Sequence, residues 1–445
     1  MKMSTFQLVF TGVCIVLVMV GVAVFATFNA NGGRSATGTV VVWGSVDQNS
    51  VDQALQVLKA QDKSFQGVTY IQKNAATYNS DLVNAMASGQ GPDLFFASQE
   101  QIGVFADKLQ VVPYSAVSRA TFTDSFVDEG QLFLSTQGSL ALPIFIDPLV
   151  MYWNRDMFAT AGFAAPPKYW NGFLDIASKV TVKSNSGALT KSLVALGGWG
   201  NVLYAKEIIS ALVMQAGDPI LARDATGSAG SPQAGALRVV FGDRPQGATE
   251  NPAVSALKFY TEFANPSKTS YSWNNAMPKS IDAFAAGDLA VYFGLSSDYA
   301  TLVARNPNLH FAVALLPQIE GNATHVTFGE LTGVAVSRTA ANPAGALTIA
   351  KKLGGQAGVA ALAEATGLPP VRRDVLQDTS ANAPATAAAQ SALIAAGWLD
   401  PNAAKTDVIF QSMIESVVSG KYQPDQAVSQ AAQALRTVLQ ASPAL

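Results

Sequence analysis

The chain of 445 residues carries 28 Lys+Arg against 31 Asp+Glu, two His and one Cys; only 13% of it is charged and 49% is apolar. That length supports two or three domains with a sizeable core. A mildly acidic balance without a Lys/Arg cluster excludes a nucleic-acid partner and favours a neutral or weakly polar ligand.

At the N-terminus, Gln7 to Phe28 runs without a charge, long enough to cross a hydrocarbon core as one helix. The expectation is a transmembrane anchor over residues 1–28; a cleaved signal with Val24-Phe25-Ala26 as its site is the alternative. Cys14 lies in the middle of this run, so it reads as a small hydrophobe and not as a lipidated residue. It also leaves no partner for a disulfide and no Cys-based metal site. Lys2 before the run and Arg34 after it give a weak positive-inside signal: N-terminus inside, body on the extracytoplasmic face of the cell membrane. Residues 29–38 (NANGGRSATG) form a flexible linker.

The body opens on a β-branched run, Thr39 to Trp43, followed by an amphipathic helix over Val51 to Phe65 with Asn49/Ser50 at its start. Strands at Gly67 to Gln72 and Gly91 to Ala97 flank a helix at Tyr78 to Ser88. The resulting βαβαβ order predicts a parallel sheet covered by helices. Beyond it come an extended run at Ala141 to Trp153 and helices at Trp170 to Val180 and Tyr204 to Ala216. Ala222 to Gly247 is a Gly/Ser/Pro-rich loop or hairpin insertion. Helices follow at Asn251 to Ala264 and Ser280 to Ala286, strands at Leu289 to Gly294 and Phe311 to Leu316, and helices dominate after Asn342. His310 and His325 fall in strand-like runs with no HExxH around either, so no metal, no cofactor and no His-driven catalysis is expected.

Several strings, in order, resemble the extracellular solute-binding proteins of ABC importers, the family 1 group that includes the maltose-binding protein. They are Leu142-Pro-Ile-Phe-Ile-Asp-Pro-Leu-Val-Met-Tyr-Trp-Asn-Arg-Asp156, Ala161-Gly-Phe with Pro166-Pro-Lys-Tyr-Trp170, Ser88-Gly-Gln-Gly-Pro-Asp-Leu94, Phe284-Ala-Ala-Gly-Asp-Leu-Ala-Val-Tyr292 and Phe328-Gly-Glu-Leu-Thr-Gly-Val-Ala-Val-Ser337. The resemblance implies a two-lobed α/β periplasmic-binding-protein-like fold (type II), with parallel-rich sheets flanked by helices. It places residues 39–145 plus 329–372 in lobe one and 149–326 plus 373–445 in lobe two. Phe145 to Leu149 and Thr327 to Leu331 would be the crossovers. It also implies hinge closure on a small polar solute, a mono- or oligosaccharide, for delivery to ABC permease subunits.

Within that frame the candidate binding residues are Asp47, Gln48, Ser98, Gln99, Phe145, Asp147, Trp199, Phe293, Ser296, Gly329 and Glu330. Asp47/Gln48 and Ser98/Gln99 follow strands, where open parallel sheets hold ligands, although Asp47 could equally cap a helix. Asp147 interrupts an apolar run and needs partners, either backbone N–H groups or ligand hydroxyls. Trp199 sits in a Gly-Gly-Trp-Gly loop with little packing reason to be there, and a flat ring suits a pyranose face. Phe293 and Ser296 follow a strand, and Gly329 and Glu330 lie at the second crossover. No GxSxG, P-loop or GxGxxG appears, so an enzyme is not expected. Two other classes stay open: a carbohydrate-active enzyme using Asp147 and Glu330, and an anchored adhesion or scaffold protein.

Overall fold

The computed structural model describes residues 37–223, 236–245, 247, 250–376 and 383–442. The expected membrane segment, Cys14 and most of the linker lie outside them. Among the described residues no helix is long and apolar enough to cross a membrane.

The elements that position the site begin with β1 (Val40–Gly44), α1 (Gln48–Gln61), β2 (Val68–Gln72), α2 (Tyr78–Ala87), β3 (Leu94–Ser98) and α3 (Gln99–Phe105). β1 pairs in parallel with both β2 and β3. The βαβαβ start is therefore present, with Val40 and Val42 of β1 sealed beneath Val51, Leu55 and Leu58 of α1. The helix begins earlier than the periodicity predicts because Asp47, not Asn49 or Ser50, is its N-cap: Ser50 N–H donates to Asp47 Oδ2 at 3.0 Å.

The long strand β4 (Leu142–Asn154) is buried almost throughout. β5 (Leu189–Val194), α4 (Ala205–Gln215), β6 (Leu221–Arg223), β7 (Leu237–Val239), β8 (Leu289–Leu295), β9 (Phe311–Ala314), β10 (Thr327–Ser337) and the C-terminal helices α5 (Ala403–Val418) and α6 (Pro424–Gln440) complete the frame. Gly217, at φ +96°, ends α4 where a side chain would be strained. The Gly/Ser/Pro-rich insertion is a hairpin at its base, with β6 and β7 antiparallel.

One sheet runs through the molecule in the order β2-β1-β3-β10-β4-β8-β5. The parallel-rich expectation needs correcting: the sheet is mixed. β10 is antiparallel to β3 and to β4, and β8 is antiparallel to β4, while β8 pairs in parallel with β5. The reason is connectivity: β4 and β10 are single long strands shared by both halves, so they cannot keep the parallel direction of each half.

Apolar burial divides into two clusters. One contains Ile144, Phe145, Ile146 and Leu331; the other contains Leu149, Val150 and Phe328. Along β4 the change falls between Ile146 and Leu149, and along β10 between Phe328 and Leu331. We refer to the halves as the first and second lobe. Leu376, Ala389, Ala392 and Ala395 pack in the first cluster and Trp398 and Phe410 in the second. The chain therefore changes lobe near Gly397, later than the expected division at 373, because the Ala-rich helix Ala383–Leu393 uses its small face against the first core.

Candidate functional site

The site is built where β4 and β10 pass side by side between the lobes. Their register pairs Gly329 with Pro148, Glu330 with Asp147 and Leu331 with Ile146. Directly paired residues on antiparallel strands project to the same face, so Glu330 and Asp147 share one side of the crossover ribbon. Their fates differ. Asp147 is 8% exposed, and its Oδ1 accepts from Ser296 Oγ at 2.6 Å and from Ser297 N–H at 3.1 Å. Burial raises its pKa and these donors oppose the rise. Glu330 is exposed but lines a cavity where neighbouring protein displaces part of its hydration. That loss of bulk solvation, with the negative charges of Asp147, Glu100 and Glu207, pushes its carboxyl up to about 8.

Two cavities open on either side of this ribbon. On the first lobe, one of about 490 Å³ is lined by Ser45, Val46, Ser98, Glu100, Glu330 and Thr332, with Asn402 to Ala404 opposite. On the second lobe, one of about 260 Å³ follows the segment Trp199 to Glu207, with Lys279 and Asp407. The strand ends supply the first wall. The second wall is the entry to α4, where Tyr204 takes a left-handed conformation at φ 61°, an uncommon arrangement for a bulky residue. Its hydroxyl lies 3.4 Å from Asp298 Oδ1.

A charged cluster stands between the cavities. Lys206 Nζ lies 2.7 Å from Asp407, 3.0 Å from Glu100 and 3.2 Å from Asp400. Glu100 belongs to the first lobe and Lys206 to the second, so the cluster links them. Burial alone would lower the Lys206 pKa, but Glu100 and Asp400 hold it above its ordinary value. Burial raises Glu100, with Lys206 opposing, and raises Glu207 to about 7, again with Lys206 opposing.

Of the residues nominated from sequence, Ser98, Trp199 and Glu330 line these cavities. Others are committed elsewhere, and the expectation for them is corrected. Phe293 is 2% exposed and packs edge-on to Trp170, centroid to centroid 5.2 Å, in the second core. Phe145 is 5% exposed and packs edge-on to Phe96 in the first. Gln99 is fully buried: its Nε2 donates to Gly329 O at 2.8 Å and its Oε1 accepts from Leu331 N–H at 3.1 Å, clamping the crossover. Asp47 is an exposed cap. Gln48 spends its amide on Asp52, Tyr70 O and Gln72 N–H, tying α1 to β2. Ser296 is held by Asp147. Gly329 leaves room for Glu129: a Cβ there would lie inside contact distance of Glu129 Oε2 and 2.8 Å from Ile146 Cδ1.

Sequence reasoning missed Glu100, Lys206, Glu207 and Asp407. The signal for two of them was present, since Lys206-Glu207 is the only charge in the otherwise apolar helix α4. It also missed Glu129, which is 3% exposed. Neither of its oxygens meets the geometry of a hydrogen bond, although the Gln99 amide lies alongside. Burial pushes this acid well above its usual range. His310 lies on the surface against Asp156. Among the described residues no group of three or more His, Cys, Asp or Glu could hold a metal ion.

A mixed sheet threaded by two shared strands, two cores and a trench between them define a two-lobed binding protein of the periplasmic-binding-protein-like fold. The chain belongs to the bacterial extracellular solute-binding protein family, whose signature it matches over residues 53–390. Among solved structures it is similar to a cyclo/maltodextrin-binding protein complexed with maltotetraose, at 16% identity and TM-score 0.71, covering 90% of this chain and 97% of that one. It is similar to the cyclic alpha-maltosyl-1,6-maltose binding protein of Arthrobacter globiformis, at 17% identity and TM-score 0.71, covering 91% and 99%. It also matches an ABC transporter solute-binding protein of Thermotoga lettingae bound with alpha-D-tagatose, at 20% identity and TM-score 0.64, covering 90% and 99%. The family and these neighbours are substrate-binding proteins, not enzymes.

Proposed function

We propose that this protein is the solute receptor of an ABC importer, tethered through Gln7 to Phe28 with its body on the extracytoplasmic face, and that it captures a carbohydrate in the trench. The observation that carries this reading is the opposition of the two walls. Trp199 offers a half-buried aromatic plane on one side, and Ser45, Ser98 and Thr332 offer hydroxyls on the other. Glu330 lies on the crossover between them. Aromatic planes suit the apolar face of a pyranose and the polar groups suit its hydroxyls. Relatives of the same fold were solved with maltotetraose and tagatose, which supports the solute class.

A solute touching both walls stabilises the closed arrangement by its differential affinity for the two states. The closed rims of both lobes would then meet the permease. The enzymatic alternative loses its pair, because Asp147 is engaged by Ser296 and Ser297 and is not free to act on a substrate. The test is a thermal-shift panel of mono- and oligosaccharides on the full chain. A cognate sugar at one hundred times its Kd should add about 2.7 kcal/mol. A flat response to every sugar overturns the reading.

A further inference from the structure

The two cavities are lined by more acids than bases, and the bases are largely spent. Glu100 and Glu330 line the larger cavity; Glu207, Asp407, Lys206 and Lys279 line the smaller. Lys206 is shared by Glu100, Asp400 and Asp407, and Lys279 is exposed at the edge. Among the described residues no side chain hydrogen-bonds or ion-pairs with Glu330 or Glu207. Resting on the carbohydrate reading above, we propose that the solute is a saccharide bearing free amino groups, its ammonium groups received by Glu330 on the crossover and by Glu207 on the facing wall, with Trp199 against its ring.

Three observations bear on this. First, carboxylates facing a partly desolvated trench without a counterion are costly, so they protonate or await a cation. The groups acting on Glu330 are Asp147 from β4, Glu100 from α3, and Tyr204, Glu207 and Lys206 at the start of α4, with Glu129 beneath, while Asp400 and Asp407 pair with Lys206. Their balance is negative, and burial first, then these charges, pushes Glu330 up to about 8 while burial pushes Glu207 up to about 7. Ammonium groups would return both to the ionised form, whereas a neutral sugar would not. Second, Glu330 lines the larger cavity and Glu207 the smaller, so the two carboxylates are spread along both walls. An extended organic cation matches that spread better than an ion. Third, Trp199 lies next to the acids, and an aromatic face attracts both a sugar ring and a cation.

The experiment is isothermal titration of the full chain in detergent at neutral pH with four probes: the β-1,4-linked glucosamine trimer, its fully N-acetylated counterpart, maltotriose and spermidine. The expected result is an affinity for the free-amine trimer at least tenfold above that for the acetylated one. That ratio should fall below about threefold in E330Q and in E207Q, with circular dichroism melts confirming that each variant folds. Equal affinity for amine and acetylated trimers, or binding of maltotriose alone, overturns the cationic assignment and leaves the carbohydrate reading standing. Binding of spermidine with no saccharide overturns both, as does the absence of heat with every probe.

Discussion

Lys206 of the second lobe places its Nζ 3.0 Å from Glu100 Oε1 of the first, so a single ammonium ties the two halves across the trench. The same ammonium neutralises Asp400, which is 1% exposed. Its position makes it both a stabilising contact and a constraint on how the lobes part.

Replacing Lys206 with Met removes the inter-lobe pair and leaves Asp400 buried beside an apolar chain. Breaking a buried pair from one side typically costs 3–5 kcal/mol. Because Glu100 and Asp407 are partly exposed, the expected loss is about 3 kcal/mol by denaturant titration. The radius of gyration from small-angle scattering should rise as the lobes separate. An unchanged radius would show that the pair does not restrain opening.

The raised carboxyls predict a direction for the pH dependence of the unliganded protein. Glu330 titrates near 8 and Glu207 near 7 when folded, against about 4.5 when unfolded. Across that window the folded state binds more protons than the unfolded one, so stability falls as pH rises. The full contribution is present below about 4.5 and is lost by about 8. Melting curves should show the decline, E330Q should flatten it, and D147N should draw the Glu330 step to lower pH by removing a neighbouring negative charge. A melting temperature that climbs from pH 5 to 8 in proportion to these groups would contradict the assignment.

Gly329 and Gly397 both press on Glu129: a Cβ at either would intrude on its carboxyl. Gly329→Ala should destabilise by about 2 kcal/mol, the usual scale of overpacking. Truncating the neighbour in G329A/E129A should recover part of this, since the closest contact is then gone while Ile146 Cδ1 and Ala395 Cβ still crowd the added methyl at 2.8 and 2.9 Å. Additive losses in that double-mutant cycle would show that the glycine is needed for another reason.

Trp199 is half-buried and borders the smaller cavity. Trp199→Ala should weaken affinity for a bound saccharide roughly tenfold, the scale of one lost aromatic contact plus its buried area. Titration calorimetry against wild type reads this directly. An affinity within twofold of wild type would remove the ring from the binding wall.

The early part of the fold could be read from the chain because local patterns and long-range packing agree there. β1, α1, β2, α2 and β3 carry periods of two and 3.6 with turn residues between them. The need of Asp147 for partners could also be read, since a carboxylate within an apolar run must be satisfied by something outside its own strand, here Ser296 and Ser297. The direction of the shared strands could not, because it depends on which strands are neighbours in space.

What the sequence by itself determined is the chain's division into apolar runs, helices and turns, and the presence of a carboxylate inside one of the apolar runs. What only the tertiary structure decided is which side chains face the trench. Phe293 and Phe145 were drawn into the cores, and Gln99 and Gln48 were spent on backbone groups. Glu100 was brought to Lys206 from 106 positions away in the chain. The physical reason is that solvation and charge pairing depend on distance in space, and a trench between two lobes gathers groups whose positions along the chain carry no trace of their meeting.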